Sequence, residues 1–125
     1  MRCRGIRGAT VVAANTRDDI LAASRELLGR MVAANDVVAE DVACAVFTTT
    51  TDLNAEFPSV VARVEMGWGD VALMNGHEMA VPDGLARCLR ILLLVNTEKS
   101  PHELQHVYLR GAEVLRMRGV ASPRL

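Results

Sequence analysis

Aromatic residues, long apolar runs and an excess of charge of either sign are all scarce in this sequence of 125 residues. Only four residues are aromatic, so a folded core must be built from aliphatic side chains. The 14 basic and 15 acidic residues nearly cancel, which argues against a general binder of nucleic acid but leaves room for a local arginine cluster. The longest apolar runs, residues 42–47 and 91–95, are far too short to cross a bilayer. We therefore expect neither a nucleic-acid partner nor a membrane partner.

Cysteine is also rare, and its three positions form no pattern. Cys3, Cys44 and Cys88 are odd in number, widely spaced and without a CxxC pair. This usage is typical of reduced thiols in a cytosolic protein rather than of a disulfide framework. The basic N-terminus is not followed by the long apolar stretch of a signal peptide, so we expect a cytoplasmic location. The length fits one domain, residues 1–125.

Apolar and small-residue patterns predict an α+β domain with about five short strands in a mixed sheet and two or three flanking helices. The predicted strands cover residues 2–11, 42–49, 71–75, 87–95 and 112–116. Helices are expected from a Thr16 cap to Asn35, from Pro58 to Gly67, and as a short turn after Ser100, where Glu103 completes a capping box. From about residue 117, Gly119 and Pro123 indicate a mobile tail.

Strand alternation assigns the side chains of the first and fourth predicted strands to faces. In the first strand, Arg7 shares a face with Gly5 and Ala9, whose small size leaves room beside the guanidinium. In residues 87–95 both faces are apolar, as in a strand buried on both sides. One face carries Cys88, Arg90, Leu92 and Leu94, and the other carries Leu89, Ile91, Leu93 and Val95.

Arg90 is the most informative position because a guanidinium among leucines is costly to bury unless an anion meets it. That anion could be a carboxylate of the protein, in a purely structural salt bridge, or a bound ligand. Arg7, Arg63 and Arg116 could converge on the same anion, or each could be a solvated surface arginine. Glu78 follows a predicted strand end and could act in a site or simply pair with one of these arginines.

Other reactive residues form no recognisable site. His102 and His106 have the spacing of two zinc ligands on a helix, but no third ligand has a convincing place, so we expect no metal. The serines, cysteines and histidines form no nucleophilic triad, and residues 4–8 lack the spacing of a phosphate-binding loop. The residues alone therefore indicate an arginine-lined anion site and no more.

Several separated motifs nevertheless resemble the AroH-type chorismate mutases, in register from Arg4 to about Arg116. They are Arg4 to Thr10, Asp52-Leu53, Phe57-Pro58, Gly67-Trp68, Glu78-Met79, Arg87-Cys88 with Arg90, and His106 to Leu109. The resemblance implies an isomerase that converts chorismate to prephenate, for phenylalanine and tyrosine synthesis, without cofactor or metal. It also implies a homotrimer, a pseudo-barrel of three mixed sheets around a shared core, with active sites between subunits.

The resemblance assigns site residues by position. Arg90 and Glu78 would be catalytic, with Arg90 donating to the ether oxygen and Glu78 facing the ring. One subunit would supply the substrate-binding residues Arg7 and Tyr108 and a loop that contains Leu73, Met74, Asn75, Gly76 and His77. Phe57 and Arg63 would enter from the next subunit, and Leu115 and Arg116 would belong to a closing tail.

The chain departs from the family pattern at two places. Met74-Asn75 stands where a Thr-Cys pair is frequent, and we expect Asn75 to bond the substrate hydroxyl. Ser59-Val60 stands where Ala-Lys is frequent, so one cation near the entrance is missing. Two alternatives are a trimeric imine deaminase of related fold and a non-catalytic trimer that binds a carboxylate metabolite; retention of both Arg90 and Glu78 favours the mutase.

Overall fold

One long helix packs on one face of a five-stranded mixed sheet in the computed structural model, which describes residues 1–119. The strands are β1 (Arg2–Val11), β2 (Val42–Thr49), β3 (Ala72–His77), β4 (Cys88–Thr97) and β5 (Val107–Tyr108), in the order β3-β2-β4-β1-β5. β4 is antiparallel to β1 and β2, whereas β3 and β5 run parallel to their neighbours. The predicted α+β class and mixed sheet are confirmed. Most of the tail predicted from about residue 117, residues 120–125, lies outside the described residues.

The helix α1 (Arg17–Asn35) begins and ends where the sequence predicts. The Thr16 hydroxyl accepts the Asp19 N–H at 3.1 Å, and two aspartates lie in the positive first turn. Asp36 adopts a left-handed φ of 53° that stops the helix. No helix within residues 1–119 is long and apolar enough to cross a membrane.

The core lies between α1 and the sheet and is almost entirely aliphatic, with Phe47 and Trp68 as its aromatic members. The buried residues of α1 meet the inner face of β4, and both sets follow the predicted periodicities. They are Ile20, Leu21, Ser24, Leu27, Leu28 and Met31 on the helix and Leu89, Ile91, Leu93 and Val95 on the strand.

Gly8 allows α1 to approach the centre of β1. A Cβ at this position would overlap the Met31 Sδ and lie 3.1 Å from Leu27 Cδ1. Because close-packed cores do not accept an extra methyl, Gly8→Ala should lower the free energy of unfolding by about 1–3 kcal/mol. Gly29→Ala is the matched control: no atom lies within 4 Å, so alanine in the helix should stabilise by up to about 1 kcal/mol. Urea denaturation at fixed protein concentration measures both, and equal stabilities would contradict this packing.

The predicted last strand, residues 112–116, is wrong. This segment is the 3₁₀ helix Ala112–Met117, because Arg110 and Gly111 take left-handed φ angles of 53° and 93° that interrupt an extended backbone. The fifth strand is instead Val107–Tyr108, which pairs with Gly8 and Ala9.

The remaining helices are too short for the apolar pattern of the sequence to define their bounds. The helix predicted from Pro58 to Gly67 is a π-helix, Val61–Glu65, after which Gly67 has the expected left-handed φ of 72°. The capping-box segment is the 3₁₀ turn Pro101–Glu103, in which Glu103 accepts the Ser100 N–H at 2.8 Å. A further 3₁₀ turn, Ala39–Asp41, was not predicted. β3 and β4 each begin one residue and end two residues later than predicted.

β4 is not buried on both faces within the single chain, in contrast to the prediction from its apolar pattern. Leu92 is 39% exposed and Leu94 only partly buried, because within residues 1–119 the face of the sheet opposite α1 is covered only in part, by the last 3₁₀ helix beside β1. We call this surface the open face. Its apolar side chains include Val46, Met74, Leu92 and Leu94.

Candidate active site

One register row crosses all five strands on the open face. Gly76 of β3 pairs with Thr48 of β2, Thr48 with Arg90 of β4, Arg90 with Ala9 of β1, and Ala9 with Tyr108 of β5. Arg7 lies two residues before Ala9 on the same face, opposite Leu92, as alternation predicts. The sheet therefore brings Arg7, Arg90 and Tyr108 to one surface.

Glu78 joins this row from the end of β3. Its main-chain N–H donates to the Thr49 carbonyl at 2.8 Å, and its Oε2 accepts the Thr48 hydroxyl. The same Oε2 lies 3.4 Å from Arg90 Nη1. Thr48 thus holds the carboxylate beside the guanidinium. We call Arg7, Glu78, Arg90 and Tyr108 the Arg90 group.

The Arg90 side chain is 46% exposed, so the premise that it is buried among leucines is wrong for the single chain. It does meet a protein carboxylate, as the structural alternative predicted. That pair contacts through one nitrogen and is well solvated, so it contributes at most about 1 kcal/mol to stability. No other carboxylate in residues 1–119 forms a salt bridge with Arg90. The rest of its planar fork can therefore receive a ligand oxygen.

A polar network missed by the sequence analysis fixes the start of β4. Asp52 accepts the Thr50 hydroxyl with one oxygen and the Arg87 N–H, at 2.9 Å, with the other. Thr50 Oγ1 in turn accepts the Cys88 N–H at 2.9 Å. The Thr50 hydrogen bond is the main reason that the pKa of the Asp52 carboxyl is lowered. The sequence did carry a signal for this network, namely an aspartate two residues after a threonine in the turn that ends β2.

Cys88 faces the same side of β4 as Arg90, but it is a poor nucleophile. The residue is 3% exposed, and burial raises the pKa of its thiol to about 11. The thiol is therefore protonated at neutral pH, and the described site holds no activated nucleophile at this position.

The last 3₁₀ helix lies against the Arg90 group. The Arg116 guanidinium stands 5.4 Å from the centre of the Tyr108 ring, within cation–π range. Leu115 is partly buried in the same helix, and Arg118 pairs with Asp83 at 2.7 Å. Leu115 and Arg116 thus belong to a segment beside the Arg90 group.

Phe57 and Arg63 belong to a different surface. Phe57 is 64% exposed, and its N–H donates at 2.8 Å to Glu56, whose other oxygen pairs with Arg17. The bond from the Phe57 N–H is the main reason that the pKa of Glu56 is lowered. Arg63 is exposed on the π-helix, and no acidic residue within 1–119 forms a salt bridge with it.

Asn75 lies with this second surface and not beside Arg90 of the same chain, and its expected bond to the substrate hydroxyl stays a prediction. It pairs with the buried Phe47 on the inner face of the sheet, and its amide is engaged with Ser59. The Asn75 Nδ2 donates to the Ser59 hydroxyl at 2.9 Å, and its Oδ1 accepts the Ser59 N–H at 3.2 Å. The two departures from the family pattern therefore contact each other. We call Phe57, Ser59, Arg63 and Asn75 the Phe57 group.

The rest of β3 divides between the two surfaces. Leu73 and His77 share the inner side with Asn75, whereas Met74 and Gly76 lie on the open face. A cleft of about 270 Å³ separates the end of β3 from the segment that carries Phe57, and Asn75, Gly76 and His77 line it.

The two histidines considered as zinc ligands have other surroundings. His106 Nδ1 accepts the Arg7 N–H at 3.0 Å, and His102 is exposed in the Pro101–Glu103 turn. Within residues 1–119, no group of three side chains with metal-ligand chemistry includes either of them.

Comparison with known proteins tests the resemblance directly. The family model for chorismate mutase type I matches residues 3–118. The chain belongs to this family. It is 38% identical to chorismate mutase AroH of Bacillus subtilis (strain 168) over 116 residues, covering 93% of this chain and 91% of that protein. It is 43% identical to chorismate mutase AroH of Thermus thermophilus over 114 residues, covering 90% and 93%.

The fold agrees with a solved structure of the same activity. A chorismate mutase from Clostridium thermocellum superposes with a TM-score of 0.86 at 44% identity, covering 89% of this chain and 98% of that one. The predicted function, a chorismate mutase and hence an isomerase, is confirmed. Neither the imine deaminase nor the carboxylate-binding alternative is favoured by these relatives.

Proposed function

We propose that this chorismate mutase converts chorismate to prephenate at sites formed between the subunits of a homotrimer, by electrostatic stabilisation of the transition state. The observation that carries the proposal is the Arg90 group, in which a partly free guanidinium, a carboxylate and a phenol meet on one sheet face.

Chorismate carries two carboxylates, and in the rearrangement its ether C–O bond breaks while a C–C bond forms. Negative charge grows on the ether oxygen and positive charge on the ring. Arg90 donates to that oxygen, where the interaction strengthens as charge develops. Glu78, held by Thr48, faces the ring and its hydroxyl. No proton moves and no covalent intermediate forms, so the chemistry requires no nucleophile.

Arg7 and Tyr108 hold the side-chain carboxylate and thereby select the chair-like pose of the substrate. Arginine suits this task because its planar donors match a carboxylate. Arg116, stacked near the Tyr108 ring, adds a cation where the dianion binds, and Leu115 closes the site beside it. Met74 and Gly76 line the part of the proposed site that lies on the open face.

The separation of the two groups within one chain supports this assembly. Asn75 and Ser59 tie the Phe57 group to the inner side of β3, while the Arg90 group lies on the open face. A neighbouring subunit that covers the apolar open face would bury Leu92 and Met74 and could bring its own Phe57, Arg63, Leu73, Asn75 and His77 toward Arg90. A closed ring of three satisfies every such contact.

Loss of the chorismate diene absorbance tests the activity directly. Because no side chain transfers a proton, kcat should stay nearly flat through the neutral pH range. A bell-shaped kcat profile that follows the chemical step would contradict the mechanism. Product release is ruled out as the cause of a flat profile if single-turnover rates show the same pH dependence.

We also infer a cytoplasmic location, which the three free cysteines support. Cell fractionation with an activity assay tests it, and activity confined to an exported fraction would contradict it.

A further inference from the structure

His106 makes an unusual contact with the backbone of β1. Its Nδ1 accepts the main-chain N–H of Arg7 at 3.0 Å. β5 pairs with β1 only from Gly8–Val107 onward, so at Arg7 the strand has not yet begun and offers no ladder partner. The imidazole takes the place of the missing carbonyl acceptor.

The imidazole can accept this bond only while Nδ1 carries no proton. Burial, and then the positive charges of Arg7 and Arg116, lower the pKa of His106. The neutral ring is therefore the form present at physiological pH, with its proton on Nε2.

Asn35 fixes the chain immediately before His106. This residue ends α1 and is only 5% exposed. Its Oδ1 accepts the Gln105 N–H at 2.7 Å, and its Nδ2 donates to the Gln105 carbonyl at 2.9 Å. These two hydrogen bonds to the backbone of Gln105 restrict where the His106 ring can lie.

We infer that His106 is a positioning residue that joins the backbone of Arg7 to the strand carrying Tyr108, and so sets the spacing of the two groups that hold the substrate's side-chain carboxylate. Tyr108 follows His106 by two residues, and Arg7 lies one residue before the β1–β5 pairing. The inference rests on the proposed function of Arg7 and Tyr108.

The test compares His106→Leu with His106→Asn. Leucine removes the acceptor, whereas the asparagine Oδ1 is attached to Cγ as the histidine Nδ1 is and can accept the same N–H. A carboxylate contact made equally in ground and transition states affects KM. His106→Leu should therefore raise KM for chorismate about tenfold, with kcat changed less than about twofold. His106→Asn should return KM to within about threefold of wild type, and the control His102→Leu should leave both constants unchanged.

The outcomes separate this inference from the proposed function. Equal KM values for the leucine and asparagine variants, or a fall in kcat without a change in KM, would overturn the role of His106 while the mutase activity stands. Absence of turnover in wild type and in His102→Leu would overturn the proposed function together with the role of His106. If His106→Leu does not fold, His106→Gln replaces it, since its acceptor lies one bond farther out and should raise KM in the same way.

Discussion

Arg90→Ala should lower kcat at least roughly a hundredfold, the scale of losing one donor to a developing oxyanion. Charge on the ether oxygen appears mainly in the transition state, so the loss should fall on kcat and not only on KM. The substitution should not unfold the protein, because the exposed Arg90–Glu78 contact contributes little to stability. Thermal unfolding and steady-state kinetics on the same preparation separate the two effects.

Two further variants define what Arg90 supplies. Arg90→Lys should rescue only part of the rate, since one ammonium cannot reproduce the guanidinium fork. Arg30→Ala is the control, because it removes an exposed arginine on α1 that lies 3.8 Å from Glu26. We expect it to leave kcat unchanged. A near-normal kcat with a raised KM in Arg90→Ala would show that Arg90 only binds the substrate.

The sequence predicts best those elements whose signals are local. Thr16, the aspartates after it and the buried periodicity specify α1, and alternation assigns Arg7 and Arg90 to the correct strand faces. The 112–116 segment misleads because its composition suits an extended chain. Its conformation is decided at Arg110 and Gly111, whose left-handed angles no apolar pattern reveals.

The exposure of Arg90 and Leu92 was not predicted for a different reason. A strand apolar on both faces signals burial, but it does not say whether the cover comes from the same chain or from another. The prediction from the apolar pattern therefore overestimates how much of β4 a single chain buries.

For the candidate site, the sequence predicts which side chains of one strand share a face, but not how the residues of different strands lie around Arg90. The spacing of strands does not show that Asn75 turns away from Arg90, because strand register decides which face each residue of β3 occupies. The Asp52 network and the His106 contact depend on side chains that meet backbone groups 35 and 99 positions away along the chain. Such contacts follow from tertiary structure and leave no local pattern.

The shared site predicts that two separately inactive variants restore one another. Arg90→Ala disables the Arg90 group, and Phe57→Asp should disable the Phe57 group by repelling the dianionic substrate. In a ring of three, every mixed trimer has one junction at which both groups are wild type. Random mixing at equal amounts therefore leaves about a quarter of all sites intact, because each group is wild type with a probability of about one half.

Co-refolding Arg90→Ala with Phe57→Asp, followed by the chorismate assay, tests most directly whether each site is built from two subunits. The separate variants, and a mixture without subunit exchange, should remain inactive. The co-refolded mixture should recover roughly a quarter of wild-type activity if sites act independently. Native mass spectrometry verifies that mixed trimers have formed. Mixed trimers that remain as inactive as their parents would contradict the intersubunit site.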